Sequence, residues 1–258
     1  MKKLSVTIIT RNEAENIAGC IKSVSWADEI LVVDAKSTDK TVTLARSLGA
    51  KVYLREWANF SDQKSFALSK ASHQWVLSLD ADERVSPQLA GEIQSLLQGE
   101  PACDGYRVPR KTFYLGKWIQ HCGWYPGYQL RLFRKDKTHL TVRKVHEGFE
   151  VEGRICDLKG DLLHYTAETL DNHFRKLILY STLEAEDKFR RKKIHWHDIF
   201  LHPISAFFRK YVAQRGFLDG KEGLLLSIMS ALGNAMLYLK IYELQLKERG
   251  EKKPESDE

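Results

Sequence analysis

The feature that most constrains this chain is an alternation within its first hundred residues. Short apolar, β-branched runs at 4–9, 30–33, 51–54 and 75–79 are separated by helical patterns. Ile17, Cys20, Ile21 and Val24 fall at helical spacing, as do Val42, Ala45 and Leu48, and Gly49 is placed to stop the second helix. Phe66, Leu68 and Ala71 belong to a third. Ser86-Pro87 opens a fourth, with Ser capping the first free amides and Pro tolerated in the first turn. Strands joined by helical crossovers make an α/β fold with a mostly parallel central sheet. Such a sheet presents its ligands to the carboxyl ends of the strands.

Past Gly99 the texture changes. Residues 104–165 are rich in Tyr, Trp, Arg, Val and Gly and read as short strands and loops. From Thr166 the pattern is helical: Leu170, Phe174, Leu177, Ile178, Ser181, Ala185 and Phe189 mark one face, Phe200, Ile204, Phe207, Phe208 and Tyr211 a second, and 224–246 a third helix. The expected organisation is a catalytic domain over 1–165 and a helical extension over 166–258, ending in a frayed, charged tail.

The 258 residues carry a net charge of +6, with 43% hydrophobic and 29% charged residues, which excludes wholesale disorder. The charge is concentrated: residues 169–218 hold ten Lys/Arg against five Asp/Glu. So local an excess suggests an acidic partner, either nucleic acid or an anionic membrane. No nucleic-acid motif accompanies it, and the basic run at 188–193 leads into Trp196, Phe200, Phe207 and Phe208, the pattern of an interfacial helix. A helix packed on the catalytic domain with a solvated basic side is the competing reading. Cys20, Cys103, Cys122 and Cys156 form no CxxC pair and read as reduced cytoplasmic thiols. The apolar run at 4–9 is short for a secretory signal. The run at 224–239 is interrupted by Gly233-Asn234, so no membrane-spanning helix is expected.

Two acidic clusters follow strands. Residues 30–33 run into Asp34, and 75–79 run into Asp80-Ala81-Asp82-Glu83. In an extended segment Asp80 and Asp82 would point the same way. Paired carboxylates repel unless a cation or sugar hydroxyls satisfy them, and Mg²⁺ or Mn²⁺ does so while also accepting phosphate oxygens. A solvated turn capping a helix is the bland alternative. The strand-end position and the second strand-end Asp upstream favour function.

These residues carry a resemblance. Thr7-Ile8-Ile9-Thr10-Arg11-Asn12-Glu13, Val32-Val33-Asp34-Ala35-Lys36-Ser37-Thr38-Asp39 and Leu79-Asp80-Ala81-Asp82-Glu83 resemble family 2 glycosyltransferases of GT-A fold. Residues 125–133 and Val145-His146-Glu147-Gly148 are similar to the same family, within which the chain most resembles the lipopolysaccharide inner-core β-1,4-glucosyltransferase subgroup; Gly216-Phe217-Leu218-Asp219-Gly220 is also similar to that subgroup. One departure is Ala35-Lys36, where many relatives have a second Asp or a Gly. The resemblance implies Thr10, Asn12, Glu13 and Asp34 around a uracil-type base and ribose, Asp80 at the ribose, and Asp82 on a metal joined by His164. It implies Glu147 as catalytic base. Lys64 and Arg131 are candidates for the donor phosphates, against a solvated Lys and a structural ion pair.

The implied activity is inverting transfer of a hexose, glucose from UDP-glucose first, onto a lipid-linked saccharide such as lipopolysaccharide inner core. A divalent metal would assist UDP departure. The enzyme would work in the cytoplasm, peripheral on the inner membrane face, without nucleic acid. The alternatives are another donor, UDP-GlcNAc or UDP-galactose, or a non-catalytic sugar- or nucleic-acid-binding protein.

Overall fold

A computed structural model describes residues 2–141, 148–166, 169–191, 193–248 and 250. The chain divides into two units, Met1–Phe113 with Trp124–Thr166, and Tyr114–Gly123 with Ala167–Glu258. The second unit therefore recruits a short stretch from within the 1–165 span as well as the helical extension.

In the first unit, β1 (Leu4–Thr10) is buried at every position. That is what a central parallel strand covered on both faces requires, and it explains the unbroken apolar run. Around it lie β2 (Glu29–Asp34), β3 (Lys51–Leu54) and β4 (Trp75–Asp80), connected through α1 (Ile17–Ser23), α2 (Thr41–Ser47) and α3 (Phe60–Lys70). The short β5 (Glu83–Val85) leads to α4 (Pro87–Gln98), where Ser86 Oγ accepts from the Leu89 amide at 3.2 Å. Gly49 has φ +82°, the left-handed stop expected after α2. Then come β6 (Gly105–Val108), β7 (Arg110–Tyr114), β9 (Gln129–Arg134), with β8 (Lys117–Trp118) between them in sequence, β10 (Thr138–Thr141), β11 (Gly148–Val151), β12 (Ile155–Asp157) and β13 (Leu162–Thr166).

The main sheet has seven strands in the order β12-β6-β9-β4-β1-β2-β3. The ladders β4-β1, β1-β2, β2-β3 and β12-β6 are parallel, and β9 is antiparallel to both neighbours. Register brings Thr10 opposite Asp34 and Ile9 opposite Asp80, so three adjacent strands end together. The core beneath is apolar, built from Val6, Ile8, Ile17, Ile21, Leu77, Leu79, Leu89 and Ile93 among others. β13 runs antiparallel to β5 and lies between it and β7.

One expectation is overturned in this unit. Cys103 and Cys156 form a disulfide, whereas the sequence reads them as thiols. They are 53 residues apart, and it is the parallel pairing of β12 with β6 that brings them together. Spacing alone does not reveal such a pair. Cys20 and Cys122 are free and buried.

The second unit contains β8 and three helices, α5 (Leu170–Lys188), α6 (Trp196–Phe208) and α7 (Gly220–Glu248), with a core of Ala185, Ile194, Leu237 and Ile241. Of the α5 face expected from Leu170, Phe174, Leu177, Ile178, Ser181, Ala185 and Phe189, Ser181 and Ala185 are buried and Leu177 and Phe189 half-buried, whereas Leu170, Phe174 and Ile178 are exposed. Nor do Gly233 and Asn234 interrupt α7. Asn234 Nδ2 donates back to the Ser230 carbonyl at 2.9 Å, and a Cβ at Gly233 would come within 2.9 Å of Leu177 Cδ2. The helical stretch Gly216–Glu248, mean hydropathy 1.6 in its most apolar window, is consequently long and apolar enough by length and composition to cross a membrane. What this corrects is the expected interruption at Gly233-Asn234, since α7 runs through both residues.

Candidate active site

The ends of β1 and β2 are locked together by side chains. Asp34, fully buried, accepts from both the amide and the hydroxyl of Ser37. Ser37 Oγ in turn accepts from the Asn12 amide at 2.7 Å, and Asn12 Oδ1 accepts from the Thr38 amide at 2.8 Å. The Glu13 amide donates to Thr41 Oγ1 at 2.8 Å, and Glu13 Oε2 accepts from Asn16 Nδ2 at 2.9 Å. Asn12 and Lys36 both hold left-handed φ, 53° and 54°, so the two loops turn sharply toward each other. Strain of this kind persists only where surrounding bonds over-determine it. Thr10 Oγ1 is buried with no partner among the described residues, a polar atom left over at the mouth of the strands.

The second cluster is ionic. Asp80 ends β4 and contacts two cations: Arg131 Nη2 at 2.7 Å and Lys64 Nζ at 3.3 Å. The same Nη2 reaches Glu83 Oε1 at 2.5 Å, and Glu83 Oε2 accepts from the Asp80 amide at 3.0 Å. Arg131 is only 5% exposed and Glu83 is fully buried. Burial opposes ionisation of Asp80, but the charges of Arg131 and Lys64 override it and hold that carboxyl well below the usual carboxylate range. For Glu83, burial together with the nearby Asp80 charge pushes its carboxyl up, against the opposing pull of Arg131. Burial likewise works against the Arg131 guanidinium, yet its two carboxylate partners raise it further above its ordinary value. Arg131 is thus spent on carboxylates, and Lys64 contacts the other oxygen of Asp80, Oδ1.

Asp82 faces a different partner. Residues 81–82 form a turn, so Asp80 and Asp82 are not held in one extended segment. Asp82 Oδ2 lies 3.3 Å from His164 Nε2, and the Tyr165 amide donates to the Asp82 carbonyl at 2.9 Å. His164 sits opposite Glu83 in the β5-β13 ladder. Its other nitrogen, Nδ1, meets Thr112 Oγ1 at 3.4 Å, which orients the ring. An oxygen and an imidazole nitrogen about 3 Å apart suit two ligands of one divalent cation with bonds of roughly 2.0–2.2 Å. Among the described residues no cluster of three or more His, Cys, Asp or Glu is built for a metal. Among the described residues, Asp82 and His164 are the two that could hold such a cation here.

The sequence-predicted residues within the described part of the chain fall into three groups. Thr10, Asn12, Glu13 and Asp34 meet at the β1–β2 corner, and Asp80, Lys64 and Arg131 form the ion cluster beside them, since β4 and β2 flank β1. Asp82 and His164 pair at the β5–β13 end. Glu147 lies outside the described residues. Sequence reasoning missed Glu83 as the buried partner of Arg131, Ser37 as the residue that fixes Asp34, and Thr112 behind His164. Alternation in 83–85 carried the signal for Glu83, because a strand starting there turns that side chain inward beside Val85. No local signal marks Thr112.

The pattern of glycosyl transferase family 2 matches residues 5–147. An uncharacterized glycosyltransferase of Rickettsia typhi is 32% identical to this chain, over 96% of this chain and 90% of its own length. The lipopolysaccharide core biosynthesis glycosyltransferase LpsC of Rhizobium meliloti is 30% identical, over 93% of this chain and 92% of LpsC. Among solved structures, glucosyl-3-phosphoglycerate synthase from Mycobacterium tuberculosis, in complex with Mn²⁺, UDP and phosphoglyceric acid, is similar at TM-score 0.48 and 20% identity, over 76% of this chain and 80% of that one.

Proposed function

The chain belongs to glycosyl transferase family 2, enzymes of GT-A fold, and we propose that it transfers a hexose from a UDP-sugar, UDP-glucose first, to a lipid-linked saccharide such as lipopolysaccharide inner core, with inversion. The observation that carries this reading is the convergence of Thr10, Asp34 and Asp80 at the carboxyl ends of three adjacent strands, with the Asp82–His164 pair beyond them. A crevice at strand ends is where open α/β sheets hold nucleotides.

Within this reading Asp34, immobilised by Ser37, accepts hydrogen bonds from the base or ribose. Asn12 and Glu13 shape the base pocket, and Thr10 Oγ1 supplies a buried partner still unsatisfied. Asp80 accepts from the ribose, and Arg131 holds it from behind as a positioning residue. Lys64 faces the phosphates. Asp82 and His164 would hold Mg²⁺ or Mn²⁺, which when bound would neutralise charge on the departing diphosphate. Glu147 takes the proton from the acceptor hydroxyl as that oxygen attacks the anomeric carbon, and the single displacement inverts it. Similarity to LpsC supports a lipopolysaccharide core acceptor.

Membrane contact follows from the second unit. Trp196, Phe200, Ile204 and Phe208 on α6 are 73%, 61%, 54% and 57% exposed, and Arg190, Lys193 and Arg209 near the helix ends are exposed as well. That supports a peripheral site on the cytoplasmic face, where a lipid-linked acceptor is met. The test is UDP release from UDP-glucose, UDP-galactose and UDP-GlcNAc, each with Mn²⁺ or Mg²⁺ and with or without core lipopolysaccharide, the product anomer being read by NMR. Acceptor-dependent release giving a β-linked product from an α-linked donor is expected. No acceptor-dependent release with any of these donors would overturn the reading.

A further inference from the structure

Within the second unit a buried carboxylate holds one histidine in a fixed pose. Asp219 is 2% exposed. Its oxygens accept from the Gln120 amide at 3.2 Å, the His121 amide at 2.8 Å and His121 Nδ1 at 3.0 Å. The surrounding chain is clamped as firmly. The Cys122 amide donates to the Gln214 carbonyl at 3.0 Å, and Lys210 Nζ donates to the Cys122 carbonyl at 2.6 Å. Lys117 Nζ donates to the Asp219 carbonyl at 2.6 Å and pairs with Glu222 at 3.1 Å. Gly216 is required for the close approach, because a Cβ there would stand 2.6 Å from Cys122 Sγ.

Backbone strain marks the same place. Among the described residues five non-glycine positions have left-handed φ. Asn12 and Lys36 lie at the β1–β2 corner, Cys122 follows His121 and Arg215 precedes Gly216, at 57° and 54°, while Leu115 turns the β7–β8 hairpin together with Gly116. Residues held in this region gather at functional sites.

The imidazole is not buried by this clamp: its side chain is 31% exposed. In the neutral imidazole the ring nitrogen that faces a carboxylate carries the proton, so Nδ1–H is committed to Asp219 and Nε2 keeps its lone pair. Nε2 has no partner among the described residues. A lone pair held outward in this way accepts a proton donor. A sugar hydroxyl is one, whereas a phosphate that offers only acceptors is not. The nearby ammonium groups of Lys117 and Lys210 already serve Asp219, Glu222 and Cys122, which also argues against an anion. A metal would need further ligands, and none are clustered here among the described residues.

We propose that His121 recognises a hydroxyl of the saccharide acceptor through Nε2, with Asp219 as its positioning residue. This rests on the glycosyl-transfer reading for the identity of the ligand. Asp219 fixes both the tautomer and the ring direction before the sugar arrives, so little ordering remains to be done on binding.

His121→Asn isolates the claim, because Asn Nδ2 can replace the Nδ1–H bond to Asp219 while Nε2 is removed. Expected is a rise of roughly tenfold in acceptor KM, the scale of one lost hydrogen bond, with UDP affinity by calorimetry unchanged and kcat within about threefold. The second measurement needs no variant. In the full-length protein the ¹⁵N signal of His121 Nε2 should shift on adding deacylated core oligosaccharide and stay put on adding UDP. An unshifted Nε2 signal at millimolar oligosaccharide, or an acceptor KM unchanged in a folded His121→Asn protein, overturns the proposal. If the wild type transfers to no core saccharide, the glycosyl-transfer reading has failed by itself. The NMR titration still decides whether His121 meets a sugar, and it decides equally if the variant does not fold.

Discussion

His164 is tied to the Asp82 segment twice, once through its own ring, with Nε2 3.3 Å from Asp82 Oδ2, and once through its neighbour, the Tyr165 amide donating to the Asp82 carbonyl at 2.9 Å. The antiparallel ladder between β5 and β13 sets that register, so the two side chains meet as a consequence of strand pairing. Asp82→Ala should abolish metal-dependent turnover, a loss of about a hundredfold or more, and weaken Mn²⁺ binding by calorimetry, while the fold is kept. His164→Ala should raise the Mn²⁺ concentration needed for half-activation by roughly 10–100-fold. Full activity of either variant, or of the wild type in EDTA, contradicts the metal assignment.

Glu147→Gln keeps shape and removes basicity. Turnover should fall about 10²–10⁴-fold, the usual worth of a general base, with donor affinity retained. A variant that binds UDP-sugar poorly yet turns over well would make Glu147 a binding residue and move the base elsewhere.

Arg131 satisfies two buried carboxylates with one nitrogen, Asp80 at 2.7 Å and Glu83 at 2.5 Å. Removing one member of a buried ion cluster leaves uncompensated charge, at a cost of about 3–5 kcal/mol. Arg131→Met should therefore lower Tm by roughly 10 °C. Adding Glu83→Gln to Arg131→Met should recover part of that loss, because one of the stranded carboxylates is gone. Equal melting of the single and double variants would mean that Glu83 and Arg131 are not coupled.

Much of this site was legible in the sequence because the parallel strands are local, apolar and buried on both faces. A run such as 75–79 announces its strand, and the polar residue that ends it announces the crevice. The partners of those residues were not legible, since they arrive from distant strands. Arg131 reaches Asp80 from β9, His164 reaches Asp82 from β13, and Cys156 reaches Cys103 from β12. The sequence reading also pointed Asp80 and Asp82 the same way, as carboxylates that a cation or sugar hydroxyls would satisfy. A turn at 81–82 separates them, and Arg131 with Lys64 supplies the positive charge that Asp80 needs. In the second unit, a helical stripe was readable on α5 but its limits were not, because periodicity does not say how much of the stripe a neighbour covers: Ser181 and Ala185 are buried, while Leu170, Phe174 and Ile178 of the same stripe are exposed.

Acid sensitivity should trace partly to Glu29. Burial pushes its carboxyl up, but hydrogen bonds from Ser5 Oγ, the Ser72 amide and hydroxyl, and Lys51 Nζ outweigh that and lower it to about 2. A carboxyl whose folded value lies below its unfolded value of 4.5 stabilises the protein above pH 4.5 and loses that contribution as pH falls towards 2. The contribution at neutral pH is roughly 3 kcal/mol. Glu29→Gln should be less stable than wild type in urea at pH 7, and the gap should close as pH falls through that window. A gap of constant size from pH 7 to pH 3 would show that the carboxylate's ionisation is not what those four bonds stabilise.

The exposed face of α6 predicts reversible binding to anionic membranes. Phe200, Ile204 and Phe208 are all more than half exposed and recur at four-residue spacing, one side of a helix. Phe207 is a poorer probe, for its ring stacks on Tyr211 at 5.4 Å. Burying each exposed aromatic or aliphatic side chain in the lipid interface is worth up to about 1.5–3 kcal/mol, and each cation near anionic lipid adds about 1 kcal/mol. Not every cation of the basic stretch is available: Lys188 and Arg191 pair with Glu184 and Asp187, and Lys210 is held by the Cys122 carbonyl. Arg190, Lys193 and Arg209 are exposed, so the apolar term should dominate and binding should survive moderate salt. Co-sedimentation with phosphatidylglycerol-containing vesicles should be lost in Phe200→Ser/Phe208→Ser and reduced only a few-fold by raising salt to about 0.5 M, where surface charges are screened. The double variant should melt within a few degrees of wild type, since both rings already face solvent, and should keep its activity on a water-soluble acceptor analogue. A wild type that ignores anionic vesicles at low salt sinks the membrane assignment; a double variant that melts far below wild type shows that the two rings are part of the core.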